Sequence, residues 1–150
     1  MSNTESQAIE NAKAWAKTIE DMATMLNPKW WDGFKSFGDR PPQYHEKIIM
    51  IDEYEVYCQE DVQESVYNQP LSIEFRSGWV TSKKDMDPEE FMILLSTGGP
   101  ALRIIGSIGN NGSPSNCAVE YRDWGTPWTE YFGVDPVLLQ TYCECFYFGE

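Results

Sequence analysis

Ala8, Ile9, Ala12, Trp15, Ala16, Ile19, Met22, Ala23 and Leu26 recur at three- and four-residue spacing, with polar residues filling most of the gaps. That period predicts an amphipathic helix over residues 5–26. Thr4-Glu5-Ser6-Gln7 offers a capping box at its start, and Asn27-Pro28 stops it, because proline lacks the amide proton and restricts the residue before it. The ladder would also suit a coiled-coil seam. Its small residues favour packing on a sheet instead. Residues 28–45 place Pro28, Gly33, Gly38, Pro41 and Pro42 among Trp30, Trp31, Phe34 and Phe37, which reads as an irregular but packed connection.

The stretch from Ile48 to Asn68 reads two ways. Tyr54, Val56 and Cys58 alternate like a strand, whereas Ile51, Tyr54, Cys58, Val62 and Val66 share one helical face. The helix is the expectation, because polar and acidic residues fill the remaining positions.

From Pro70 the period changes to two. Leu71, Ile73 and Phe75 fall on one side of a strand, followed by Gly78 and Trp79. Phe91–Leu95 and Ala101–Ile108 flank Thr97-Gly98-Gly99-Pro100, where two glycines can take the positive φ that a tight hairpin demands. Residues 109–114 form a loop, Cys117–Trp124 another strand, Asp135-Pro136 the start of a short helix, and Cys145–Phe148 a last strand. The predicted class is α+β, with two N-terminal helices on a mainly antiparallel sheet of about four or five strands and a short C-terminal helix.

Composition adds scale to this pattern. At 150 residues, 41% of them hydrophobic, the chain suits one domain, helical over residues 1–69 and mainly β over 70–150. It has no apolar run of about eighteen residues, and its opening MSNTES lacks the basic and apolar parts of a secretory signal, so a cytoplasmic protein is expected. In that compartment Cys58, Cys117, Cys143 and Cys145 read as free thiols.

Charge changes the picture more. The formal net charge is -13, from 24 acidic and 11 basic side chains, which argues against nucleic acid or an anionic membrane as a direct partner. A basic protein partner fits better. Residues 48–150 hold seventeen of the acids and only five of the bases. Between Lys47 and Arg76 stand Asp52, Glu53, Glu55, Glu60, Asp61, Glu64 and Glu74, with no lysine or arginine. On a helix, Glu53, Glu60 and Glu64 would fall within about 40° of one another and form a negative ridge. Glu60 and Glu64, like charges four apart, would repel modestly. Such a local conflict marks function or serves solubility alone.

Little else points to catalysis. His45 is the only histidine, and no nucleophile and carboxylate accompany it in a recognisable arrangement. Cys143 and Cys145 could offer two thiolates to zinc, with Cys58, Cys117 or His45 completing the set, but their spacing is not that of common zinc sites. One intervening residue in a strand would put both on one face of a core instead. Gly98 and Gly99 lack the following Lys-Ser/Thr of a phosphate loop. Asp87, Glu89 and Glu90 read as a solvated turn. Trp124 to Tyr131 concentrates aromatics around a Gly/Pro turn that either anchors a partner, through Trp124 and Trp128, or plugs one end of the sheet. No metal, cofactor or catalytic residue is expected.

Ser96-Thr97-Gly98-Gly99-Pro100, Arg103-Ile104-Ile105-Gly106, Asp123-Trp124-Gly125-Thr126-Pro127-Trp128 and Phe146-Tyr147-Phe148-Gly149 together resemble a group of small uncharacterised proteins of bacteria, phages and mobile elements, over residues 70–150. That resemblance implies an α+β fold and no particular activity. In size and acidity alone, the chain is similar to phage anti-CRISPR and anti-restriction inhibitors, several of which imitate the charge of DNA. The expectation is a non-enzymatic anti-defence inhibitor that binds a basic CRISPR effector or restriction enzyme through Asp52, Glu53, Glu60, Asp61 and Glu64, with Trp124 and Trp128 as aromatic contacts. An immunity protein that neutralises a basic toxin nuclease is the alternative, and a small-molecule enzyme the third reading.

Overall fold

The N-terminal three- and four-residue spacing becomes helix α1, Asn3–Met25, in a computed structural model that describes residues 3–27, 29–30, 49–51, 54–56, 59–123 and 125–146. Its buried stripe is Ala8, Ala12, Ala16, Ile19, Met22 and Ala23. Four alanines on that stripe let the helix backbone lie close to its neighbours, and Ile19 and Met22 then fill the deeper space. The opposite face carries exposed i, i+4 pairing, with Lys17 Nζ 2.9 Å from Asp21. The helix starts at Asn3, so Thr4 and Gln7 lie within its first turns and do not bracket its start. It closes where the Leu26 amide donates to Met22 and the Asn27 amide to Thr24.

The expected helix over 48–68 is only half present. Strands β1, Ile49–Ile51, and β2, Tyr54–Val56, pair antiparallel, and helix α2 covers Gln59–Asn68. Ile49, Ile51, Tyr54 and Val56 lose more rotamer freedom in a helix than in a strand. Ile51 pairs with Tyr54 in this register, and Asp52 is a turn-favouring residue type that helical periodicity overlooks.

Five further strands form one antiparallel sheet in sequential order: β3, Ser72–Arg76; β4, Glu90–Ser96; β5, Ala101–Ile108; β6, Pro114–Arg122; and β7, Thr129–Tyr131. Strand β7 lies inside the aromatic segment read above as a turn. The β4–β5 hairpin turns at Gly98, with φ 106°, so one glycine of the Gly98-Gly99 pair takes the left-handed conformation. Helix α3, Pro136–Cys143, opens with Asp135 accepting hydrogen bonds from the amides of Val137 (2.8 Å) and Leu138 (3.3 Å). The Asp135 amide donates to Glu20 Oε2 at 3.0 Å, which ties the start of α3 to α1. The expected last strand does not continue from it. Cys145 and Phe146 form a turn, their amides donating to Tyr142 and Cys143, while Tyr147 and Phe148 lie outside the described residues.

Alternation along the strands decides which side the helices cover. Phe91, Ile93, Leu102, Ile104 and Val119 form one buried cluster with Ile19 and Met22 of α1, Val62 and Val66 of α2, and Leu139 and Tyr142 of α3. Each such aliphatic side chain contributes about 1.5–3 kcal/mol through removal from water. A partly buried hydrogen bond, Tyr142 Oη to Gln69 Oε1 at 2.7 Å, joins α3 to the residue that follows α2. Among the described residues no helix is long and apolar enough to cross a membrane.

Candidate protein-interaction surfaces

The acidic residues of α2 divide by its periodicity. Val62, Ser65 and Val66 are buried, which turns Glu60 and Glu64 to solvent on one exposed face, beside exposed Gln63 and Tyr67. Asp61 is half-buried and does not extend that face. Glu60 and Asp61 also stand in the first turn, where the helix dipole favours negative charge, so part of the i, i+4 repulsion is offset locally. Asp52 and Glu53 lie outside the described residues, as do Trp124, His45 and Cys58.

Trp128 occupies a different part of the molecule. Arg103 lies next to buried Ile104 on β5, so alternation sends it to the sheet face opposite the helices. There its guanidinium meets Glu120 of β6 at 2.7 and 2.8 Å, with the two side chains 23% and 17% exposed. The Trp128 ring covers this pair, its centroid 4.2 Å from the Arg103 guanidinium carbon and 4.5 Å from that of Arg122. Cation–π contacts of this kind contribute about 0.5–1 kcal/mol each at exposed sites. Trp128 is therefore held by two arginines on the face away from α1, α2 and α3, whereas Glu60 and Glu64 stand on the helical side. Among the described residues, Glu60/Glu64 and Trp128 thus stand on opposite sides of the sheet.

Sequence reading singled out no partner contacts at the β3 edge. Trp79 is fully exposed there, and Leu71, Phe75, Val80 and Met86 are also exposed. An open depression of about 620 Å³ is bounded by Arg76, Gly78, Trp79, Val80, Met86 and Glu90. Its base is braced. Arg76 grips Glu90 at 3.1 and 2.8 Å, and the Glu89 amide donates to the Arg76 carbonyl at 2.9 Å. Hydrogen bonding to Arg76 holds the Glu90 carboxyl below the usual carboxylate range. Gly78 passes so close to Glu89 that a Cβ there would lie 2.6 Å from its carboxylate oxygen. The sequence signal was available in Gly78-Trp79-Val80, but periodicity does not distinguish an exposed Trp after a strand from a buried one.

Cysteine placement differs from expectation. Cys143 ends α3 and Cys145 lies in the following turn, so the two do not share a strand face. Cys143 is hydrogen-bonded to Cys117 of β6, which lowers the Cys117 pKa and, with burial, raises that of Cys143. Burial and the neighbouring Glu144 push Cys145 up to about 11. Among the described residues no three His, Cys, Asp or Glu side chains are grouped to hold a metal ion. No protein-family model, curated protein or solved structure matches the chain.

Proposed function

We infer that this chain is a non-enzymatic inhibitor, of the anti-defence kind, which occupies the phosphate-binding groove of a CRISPR effector or restriction nuclease. The observation that carries this reading is the pairing of Glu60 and Glu64 on the exposed face of α2, in a chain of net charge -13. Four residues of helix rise about 6 Å. A DNA strand carries one phosphate per about 3.4 Å of axis. Two carboxylates four residues apart on a helix thus span roughly two phosphate steps, on a scaffold with no cleavable phosphodiester. A nuclease groove built from Lys and Arg draws much of its affinity from neutralising such charges, and opposite net charges speed capture.

The test is DNA cleavage by purified CRISPR nucleases and restriction enzymes, titrated with parent chain and with the triple variant Glu53→Gln, Glu60→Gln, Glu64→Gln. Circular dichroism checks that the variant keeps its fold. The parent should inhibit at least one basic nuclease and lose potency as salt rises, because charges are screened over about 8 Å at physiological ionic strength. The variant should inhibit less. Equal inhibition by parent and variant at low and high salt removes the charge-mimic mechanism, and no inhibition across the panel removes the function.

A further inference from the structure

Strand β3 is the outermost strand of its sheet, and among the described residues no strand pairs with its outer side. An edge strand directs alternate backbone N–H and C=O groups outward, ready to pair with another chain. The opposite edge, β7, is three residues long, whereas β3 has five and continues into the exposed Trp79 and Val80.

The side chains of β3 specify what would fit. Ile73 packs against the core, and Phe75, 47% exposed, lies on the same side of the strand. Glu74 faces the other way with Arg76, whose charge is already engaged by Glu90. A strand added beside β3 would therefore place apolar side chains next to Ile73 and Phe75, and alternate side chains next to Glu74. Directly opposite pairs favour apolar against apolar and unlike charge against charge. The matching segment alternates apolar and basic residues. Beyond its end, Trp79, Val80 and Met86 offer a shelf for one further apolar side chain, displayed from the Arg76–Glu90 pair and the hydrogen bond of the Glu89 amide to the Arg76 carbonyl. A preformed aromatic anchor lowers the ordering cost of association.

Resting on the reading that the chain binds a basic protein, the geometry points to β3 as a docking edge. There an extended partner segment with alternating basic and apolar residues adds as a further strand, its end seated on Trp79. A second copy is the poorer occupant. Two bodies of charge -13 repel, and a symmetric β3–β3 pairing centred on Glu74 would bring the two Glu74 side chains together on a face where Arg76 is already engaged by Glu90. An anionic membrane meets the same repulsion.

The probe is an end-capped hexapeptide alternating lysine and valine, titrated into the isotope-labelled full chain. The controls are a hexapeptide alternating glutamate and valine and a lysine–valine peptide N-methylated along one edge. Expected are amide shifts and slowed hydrogen exchange over Ser72–Arg76, a shift of the Trp79 indole, no effect of the controls, and affinity about tenfold lower in Trp79→Ala. Equal binding of the glutamate peptide, survival of N-methylation, shifts confined to other elements, or no binding each overturns the inference. So does sedimentation of the free chain as a dimer in which β3 is protected from exchange. Loss of nuclease inhibition in the triple carboxylate variant, with the lysine–valine peptide silent, sinks strand addition alone. Peptide binding at β3 by a chain that inhibits no nuclease sinks the proposed function alone.

Discussion

Replacing Gly106 by alanine tests how tightly β5 is packed into the sheet. Gly106 is paired with Phe91 across the β4–β5 ladder. A Cβ at this position would lie 2.5 Å from Phe91 Cζ, 2.6 Å from Cε1 and 2.9 Å from the Ser115 carbonyl oxygen. The ring is 3% exposed within the core, so it gives only by displacing its neighbours, and the carbonyl belongs to the backbone of β6. Overpacking of this kind costs about 1–3 kcal/mol, and two obstructed directions place Gly106→Ala in the upper half of that range, about 2–3 kcal/mol. For a chain of this size the melting temperature should fall by about 4–12 °C, at roughly 2–4 °C per kcal/mol. In urea the midpoint should fall by about 1 M with an unchanged slope. A double-mutant cycle with Phe91→Leu separates the two contacts. Trimming the ring should make the double variant less destabilised than the sum of the singles, by about 0.5–1.5 kcal/mol, with the Ser115 contact accounting for the remainder. A single variant within about 0.5 kcal/mol of the parent, or a strictly additive cycle, would refute the packing argument.

Two further outcomes follow from the titrating groups. Because Arg76 depresses the folded-state pKa of Glu90, that pair stabilises the fold above the ordinary carboxylate value of about 4 and ceases to do so as the pH falls through the folded value. The small stability difference between parent and Glu90→Gln, measured by urea unfolding, should therefore shrink on acidification, and a difference independent of pH contradicts the pairing. Site-resolved mass spectrometry after iodoacetamide treatment of the native chain should find Cys117 alkylated first and Cys143 last among the thiols of Cys117, Cys143 and Cys145. Cys145 should accelerate only as the pH approaches about 11, and Cys143 reacting as fast as Cys117 would contradict their hydrogen bond.

Local chemistry determined a large part of this molecule. The alanine-rich stripe of α1, the Gly98 turn and the Asp135-Pro136 helix start are visible because each rests on residues within one turn or one strand of each other. The α+β class follows from the change in hydrophobic period near Pro70. Over 48–58 the same local signals compete. Tyr54 and Cys58 satisfy a strand period and a helical one, Val56 only the first and Ile51 only the second, and the observed pairing of β1 with β2 is a contact between segments that neither period contains. Cys145 and Phe146 were misread for a related reason. Their aromatic setting favours a strand, yet Phe146 is drawn into the core beside Tyr142 and Tyr67, with ring centroids 6.0 and 6.1 Å away. Strand β7 has only three residues, and its strand state depends on registry with β6.

The candidate surfaces divide along the same line. The net charge of -13 and the exposed Glu60/Glu64 pair could be expected from composition and a 3.6-residue period. Which side of the sheet each charge occupies could not, because that depends on where the helices dock. Docking placed Glu60 and Glu64 on the helical side, turned Arg103 and Trp128 to the opposite face, and left β3 at an edge with Trp79 in solvent. Sequence alone determines which residues are able to bury or carry charge. The assignment of Trp79 to the surface and Phe146 to the core was a tertiary decision, because burial depends on the surfaces that other segments bring, and those segments are remote in the chain.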